Sequence, residues 1–313
     1  MLYSRISVVV PIFNEEGNLT ILDRELKNVL PSIALNYEII YVNDASTDAT
    51  LNELSLLENV TVITLRRRYG QATALAAGFA RASGEIIISI DGDGQNDPAD
   101  IPLLLSTLQN RNVDVVTGWR QHRRERNGIR VLTNLGRYLR KIIIHDPVHD
   151  TGCTLRAYRA EAVKSLSLHG EMHRYILALL RWKGFTIEEV VVKDRTRRHG
   201  VSKYGYSKAI RGFIDLIYIW FIYKYSDRPL HLFGYLSLSA FGLGLISALL
   251  TLYDRLVLDV HLNSDGWFFL TFFLLIVAVM FFSFGIIIEL IMRMYLSTSS
   301  SEKPYYIKSI ITL

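Results

Sequence analysis

The chain has 313 residues, half of them hydrophobic, and 35 Lys and Arg against 30 Asp and Glu give a formal charge of +5. That length holds one large domain or two smaller units. A lone cysteine, Cys153, excludes an internal disulfide and fits a reducing compartment. With no zinc-ligand spacing and no nucleic-acid module, the basic balance points to phosphates or anionic lipid.

Taken in order, residues 6–13 read as a first strand, and 15–30 have helical spacing. The first apolar run is too short for a signal peptide and contains Pro11. A second strand, 37–42, ends in Asn43-Asp44-Ala45-Ser46-Thr47-Asp48, where Ser46 or Thr47 is placed to cap a helix. The third strand, 60–65, runs into Arg66-Arg67-Arg68-Tyr69-Gly70-Gln71 and an Ala-rich helix to about 82. The fourth, 86–90, is followed by Asp91-Gly92-Asp93-Gly94-Gln95 and a helix over 98–109, and the fifth covers 113–117. Strand and helix alternate at short intervals, the pattern of an α/β domain with a mostly parallel sheet covered on both faces. Each polar cluster follows its strand, which is where the ligand crevice of such a sheet lies.

The acidic turn is the most informative of these clusters. Gly92 and Gly94 let the backbone bend tightly. Asp91, Asp93 and the Gln95 amide are hard oxygen ligands suited to Mg²⁺ or Mn²⁺, ions that complete their shell with substrate phosphates. The competing reading is a polar turn with solvated aspartates.

A basic segment comes next, with Arg120, Arg123, Arg124, Arg126, Arg130, Arg137, Arg140 and Lys141. It reads either as a solvated helix face or as a surface turned to phosphate or an anionic bilayer. The segment Asp150 to Arg156 follows, then a helix over 170–182 in which His173 reads as an ordinary helix histidine, and a strand over 185–192. Residues 195–204 form a cationic loop, with Arg supplying a planar fork for phosphate and Lys a mobile charge. Residues 204–225 mix aromatics and cations at helical spacing, so Phe213, Leu216, Ile217, Trp220 and Phe221 share a face that suits a membrane interface or packing on the domain.

Beyond Asp227-Arg228-Pro229 lie two apolar stretches, about 232–253 and 267–292, each long enough to span a bilayer. The short polar turn between them makes a hairpin. Cations flank its outer ends while the turn carries only Arg255, so the positive-inside rule puts both termini in the cytoplasm. Glu289 has Arg293 one turn on, and Gly242 and Gly244 read as helix-packing positions. The tail from 296 on has no assigned role.

Four motifs in order carry a family resemblance: Val10-Pro11-Ile12-Phe13-Asn14-Glu15, Val42-Asn43-Asp44-Ala45-Ser46, Asp91-Gly92-Asp93-Gly94-Gln95-Asn96-Asp97-Pro98, and Arg197-x-x-Gly200-x-Ser202-Lys203-Tyr204. The chain resembles the family 2 glycosyltransferases of GT-A fold over about residues 5–230. Within them it is similar to the polyprenyl-phosphate glycosyltransferases, which include dolichyl-phosphate mannose synthases and bacterial undecaprenyl-phosphate glucosyltransferases. The resemblance implies that Pro11, Phe13, Glu15, Val42 and Asp44 hold the nucleoside. Asp91, Asp93 and Gln95 would hold Mg²⁺ or Mn²⁺ on the diphosphate. Arg120, Arg197 and Lys203 would contact diphosphate or acceptor phosphate, with Gly92, Arg156 and Ser202 counted among the substrate-binding residues. Asp150 stands near the catalytic carboxylate of inverting relatives and joins Asp93 as a catalytic candidate. Asn43-Asp44-Ala45-Ser46 departs from the common Asp-Asp-Gly-Ser, and Arg68 stands where Asn is common. The run Ala178 to Trp182 lacks the Gln of the processive synthases' Gln-x-x-Arg-Trp, which argues against a polymerase.

The implied division is a cytoplasmic catalytic domain over 1–203, a juxtamembrane helix over 204–228, a transmembrane hairpin over 229–293 and a cytoplasmic tail over 294–313. The implied reaction is inverting transfer of one sugar from a nucleotide-diphosphate sugar to a polyprenyl phosphate at the bacterial inner membrane. A homo-oligomer stays open. Two competing readings are a transferase acting on a glycolipid or polysaccharide hydroxyl, with Asp150 as a true base, and a sugar-nucleotide-binding scaffold without turnover.

Overall fold

The computed structural model describes residues 3–121, 148–168, 170–196, 217–218, 220–221, 224–225, 228–297 and 305–313. The chain divides into two compact units, Met1–Phe213 with Lys303–Leu313, and Ile214–Glu302.

The first unit is an eight-stranded sheet in the order β7-β5-β6-β4-β1-β2-β3-β8. Its elements are β1 (Tyr3–Ile12), α1 (Leu19–Val29), β2 (Ala34–Asn43), α2 (Thr50–Leu54), β3 (Thr61–Leu65), α3 (Gln71–Arg81), β4 (Ile86–Ser89) and α4 (Ile101–Asn110). They continue with β5 (Val115–Trp119), β6 (Arg156–Arg159), α5 (Ala160–Lys164), α6 (Ile176–Trp182) and β7 (Ile187–Val191), and the sheet closes with β8 (Ile307–Thr312). β1 pairs in parallel with both β2 and β4, and β2 with β3. The strand order therefore reverses between β1 and β4, the switch point at which such sheets bind ligands beyond their carboxyl ends. The Phe13–Glu15 loop and the Asp91–Gln95 turn leave the sheet on either side of it.

Both faces of the sheet are covered, and for that reason its central strands read as unbroken apolar runs. One face packs Val8, Val10, Ile86 and Ile88 against Leu19, Leu22 and Leu26 of α1 and Leu104 and Leu108 of α4. On the other face α3 lies so close to β1 that a methyl group on Gly78 would overlap the Val9 side chain. Gly78→Val is accordingly expected to destabilise the unit by about 1–3 kcal/mol, read as an earlier thermal melt of the purified protein.

Several boundaries differ from the sequence expectation for local reasons. The first helix starts at Leu19 because Asn14 (φ 56°) and Gly17 (φ 82°) turn the chain through left-handed conformations first. The predicted 170–182 helix is a 3₁₀ turn, Met172–Tyr175, followed by α6. Two strands had no sequence signal. β6 pairs antiparallel between β4 and β5, and β8 pairs antiparallel with β3, so the tail without an assigned role is the edge strand of the sheet.

The second unit is a pair of long helices, α7 (Pro229–Val257) and α8 (Gly266–Ser297). Their 29 and 32 residues reach roughly 43 and 48 Å at 1.5 Å per residue, more than a hydrocarbon core requires. Both are long and apolar enough to cross a membrane. Most of their large side chains, including Leu238, Leu249, Phe273 and Val279, are exposed, which in water would be a large uncovered apolar surface. Ser237 Oγ donates to the Ala278 carbonyl and Ser247 Oγ to that of Trp267, both at 2.8 Å. Gly244 faces Leu274 and Leu275, and Gly285 lies against Leu230 and Phe233, whereas nothing stands near Gly242. The expected Glu289–Arg293 pair forms at 2.9 Å.

Candidate active site

The loops after β1 and β2 are fastened to each other. Asn14 N donates to Ser46 Oγ (3.0 Å), Thr47 N to Asn14 Oδ1 (2.8 Å) and Glu15 N to Thr50 Oγ1 (3.0 Å). Asn43, the departure from the family pattern, is buried, and its Oδ1 accepts from Ser46 N within its own loop at 2.9 Å. Pro11 and Val42 lie opposite each other in the β1–β2 register with buried side chains, while Phe13 and Glu15 are half-buried at the mouth. Arg68 stacks its guanidinium over the Phe13 ring at 3.9 Å. Asp44 is buried and accepts from Tyr69 N (2.7 Å) and Gly70 N (2.8 Å), so its carboxylate fixes the turn into α3. Burial raises its pKa, and those two amides hold it back.

The acidic turn leaves β4 at the switch point. Asp91 is half-buried and Gly92 and Asp93 are buried; Gly94 takes φ 71°, a left-handed conformation that favours glycine. Gln71 Nε2, at the start of α3, donates to Asp91 Oδ1 at 2.7 Å, and Gln95 N donates to Asp93 Oδ1 at 3.1 Å. Burial and the Asp93 carboxylate push Asp91 up to about 7, against the opposing pull of the Thr154 hydroxyl and Arg120. Two carboxylates whose repulsion is this costly suit a divalent cation between them. Among the described residues no third His, Cys, Asp or Glu joins them, so such an ion would take most of its shell from phosphate oxygens and water. The Gln95 side chain makes no hydrogen bond to either carboxylate. The amide that touches Asp91 belongs to Gln71, which sequence reasoning missed; its signal was a position immediately after the Arg-rich loop that follows β3.

The same turn anchors the chain beyond β7. Arg195 N donates to the Gln95 carbonyl at 3.0 Å, and the Arg195 guanidinium pairs with Asp97 and Glu25, each at 2.7 Å. Lys193 N donates to Asp100 Oδ2 at 2.8 Å. The cationic loop starts here, but Arg197, Ser202 and Lys203 lie outside the described residues, as does the basic segment from Arg123 to Lys141.

Arg120 and Asp150, given separate roles by the resemblance, are paired with each other. Arg120 Nε and Nη2 donate to the two Asp150 oxygens at 2.8 and 3.3 Å, with both residues 8% exposed. Burial opposes the Arg120 charge, but the hydrogen bond and charge of Asp150 outweigh it and raise its pKa. Gly152 N adds a bond to Asp150 Oδ1 at 3.1 Å. Arg156 is only 2% exposed and donates from Nη2 to the Thr151 carbonyl at 2.7 Å.

A parallel sheet with an acid pair at its switch point, and cations leading away from it, defines a class of domains that bind phosphate-bearing nucleotides. The model of the family described as glycosyl transferase family 2 matches residues 7–167. The chain belongs to that family and is a glycosyltransferase. It is 37% identical to a dodecaprenyl-phosphate galacturonate synthase of Rhizobium johnstonii, over 96% of this chain and 91% of that protein. It is 31% identical to an undecaprenyl-phosphate 4-deoxy-4-formamido-L-arabinose transferase of Edwardsiella ictaluri, over 98% and 94%. Among solved structures it is similar in fold to glucosyl-3-phosphoglycerate synthase of Mycobacterium tuberculosis in complex with Mn²⁺, UDP and glucosyl-3-phosphoglycerate. The TM-score is 0.57, the identity 20%, and the match covers 71% of this chain and 80% of that one. The sheet is thus of the GT-A type expected from the motifs.

Proposed function

We propose that the protein transfers a single sugar, with inversion, from a nucleotide-diphosphate sugar to a polyprenyl phosphate at the cytoplasmic face of a bacterial membrane. The observation that carries this reading is the place of the hairpin in the chain. It is inserted between β7 and β8 of the very sheet that bears the acid pair. A chain that leaves such a sheet into a bilayer and returns to it must cross an even number of times, and two helices supply two crossings. The cations flanking the hairpin and the reduced Cys153 favour the cytoplasmic side. The two relatives, whose names specify polyprenyl phosphates with different sugars, favour the acceptor class and leave the sugar open.

Asp91 and Asp93 would hold Mg²⁺ or Mn²⁺, which would supply positive charge at the leaving diphosphate. Phe13 and Glu15, half-buried beyond β1, would meet the nucleoside, with Arg68 stacked on Phe13. Asp44, Pro11 and Val42 would act from behind, by shaping the two loops. An acceptor phosphate is already anionic at neutral pH and needs no general base. That fits an Asp150 whose two carboxylate oxygens are engaged by Arg120. Attack from the face opposite the leaving group inverts the anomeric centre. Arg197 and Lys203 would add positive charge on the substrate phosphates.

The test incubates membranes bearing the protein with radiolabelled UDP- and GDP-sugars and undecaprenyl phosphate. Label is expected in the lipid fraction for one donor, released by mild acid as free sugar. Label that appears only in a hydroxyl-linked glycolipid would favour the second reading and a basic Asp150. No label from any donor would favour the scaffold.

A further inference from the structure

Directly opposed residues on neighbouring strands share a face, and one such row runs across four strands. Ser89 of β4 faces Arg156 of β6, Arg156 faces Thr117 of β5, and Thr117 faces Glu189 of β7. The segment that carries Asp150 is fastened along this row. Ser89 Oγ donates to the Thr154 carbonyl and Arg156 Nη2 to that of Thr151, both at 2.7 Å. At the far end Glu189 receives His149 N at 3.0 Å on both oxygens and Asp150 N at 3.3 Å on Oε1. His149 Nδ1 lies 2.8 Å from Glu189 Oε2, and its ring stacks on Trp119 at 4.4 Å and 17°.

Two rungs therefore join the end of β5 to this segment: Trp119 with His149, and next to it Arg120 with Asp150. Among the described residues, Glu189 is the one side chain that accepts from the backbone N–H groups of both 149 and 150. We infer that Glu189 is a positioning residue for the transfer reaction, setting the Asp150 carboxylate against Arg120, with the Trp119–His149 stack as its brace. This rests on the glycosyl-transfer reading. Its effect passes through the peptide N–H groups of His149 and Asp150. A small misplacement of a catalytic constellation costs rate rather than donor affinity.

The test uses the full chain in membranes or detergent. Glu189→Ala is expected to lower kcat about 10-fold or more while donor KM stays within about 2-fold, and Glu189→Gln, which keeps a carbonyl acceptor for the two amides, is expected to return to within about 3-fold of the wild type. An unchanged kcat in Glu189→Ala, or equal damage in both variants, overturns the inference. A second measurement needs no turnover. The Tm loss caused by Glu189→Ala should shrink by about half in an Asp150→Ala background, because the contact being positioned is already gone; fully additive losses overturn the inference even if no donor is found. Should Glu189→Ala fail to fold, Glu189→Asp, which draws the carboxylate back from the two amides by one methylene, replaces it in both experiments with the same readings. A wild type inactive with every donor would count against the glycosyl-transfer reading alone, since the thermal cycle still decides the positioning role.

Discussion

Asp93→Ala is expected to lower transfer by roughly 1,000-fold, the scale of losing a principal electrostatic contact to a leaving group, without unfolding the sheet. The Asp93 side chain is buried but accepts from Gln95 N inside its own turn, so its removal loosens a loop rather than a core. The consequence for the metal separates this from a general loss of fold. Asp91 is pushed up to about 7 by burial and by the Asp93 charge beside it. A divalent cation relieves that repulsion and stabilises the folded state by binding it preferentially. Mn²⁺ should therefore raise the Tm of the wild type and leave that of Asp93→Ala almost unmoved. Undiminished transfer in Asp93→Ala, or wild-type transfer persisting in excess EDTA, would remove the metal role.

The legible parts of the molecule were those whose signal is local. The run Ile86–Ile90 followed by Asp91-Gly92-Asp93 has its strand, its stop and its chemistry within ten residues, and the structure puts that turn at the switch point. The two long helices were legible for the same reason: each carries apolar residues on every side over more than twenty consecutive positions. β8 was not, because Ile307–Thr312 is strand only by virtue of β3, some 240 residues earlier in the chain. β6, four residues with an Arg at each end, likewise owes its conformation to β4 and β5 on either side. The site shows the same division. Arg120 and Asp150 were both recognisable as functional residue types, but their pairing depends on β5 and the segment before β6 closing together. Asp44 looked like a ligand-facing acid from its motif; the peptide N–H groups of Tyr69 and Gly70 that occupy it come from a different loop.

The Arg120–Asp150 pair supplies the other large effect. Arg120→Ala takes from the Asp150 carboxylate, in a site 8% exposed, the guanidinium that pairs with it, a change that costs about 3–5 kcal/mol in buried pairs. The variant should melt well below the wild type and lose transfer by roughly 100-fold or more, since a donor of fixed fork geometry is gone as well. Arg120→Lys keeps the charge but not the two-point contact, and should recover most of the stability and only part of the rate. Asp150→Asn asks a different question. Its remaining carbonyl oxygen can still accept from Arg120 and from Gly152 N, so a carboxylate that only orients its surroundings leaves transfer about 10-fold down, with the pH–rate profile unchanged in shape. A carboxylate that takes a proton in the reaction would instead cost roughly 10,000-fold and erase the acid limb of that profile. The engaged geometry of Asp150, and an acceptor phosphate that already offers an anionic oxygen, both favour the smaller loss.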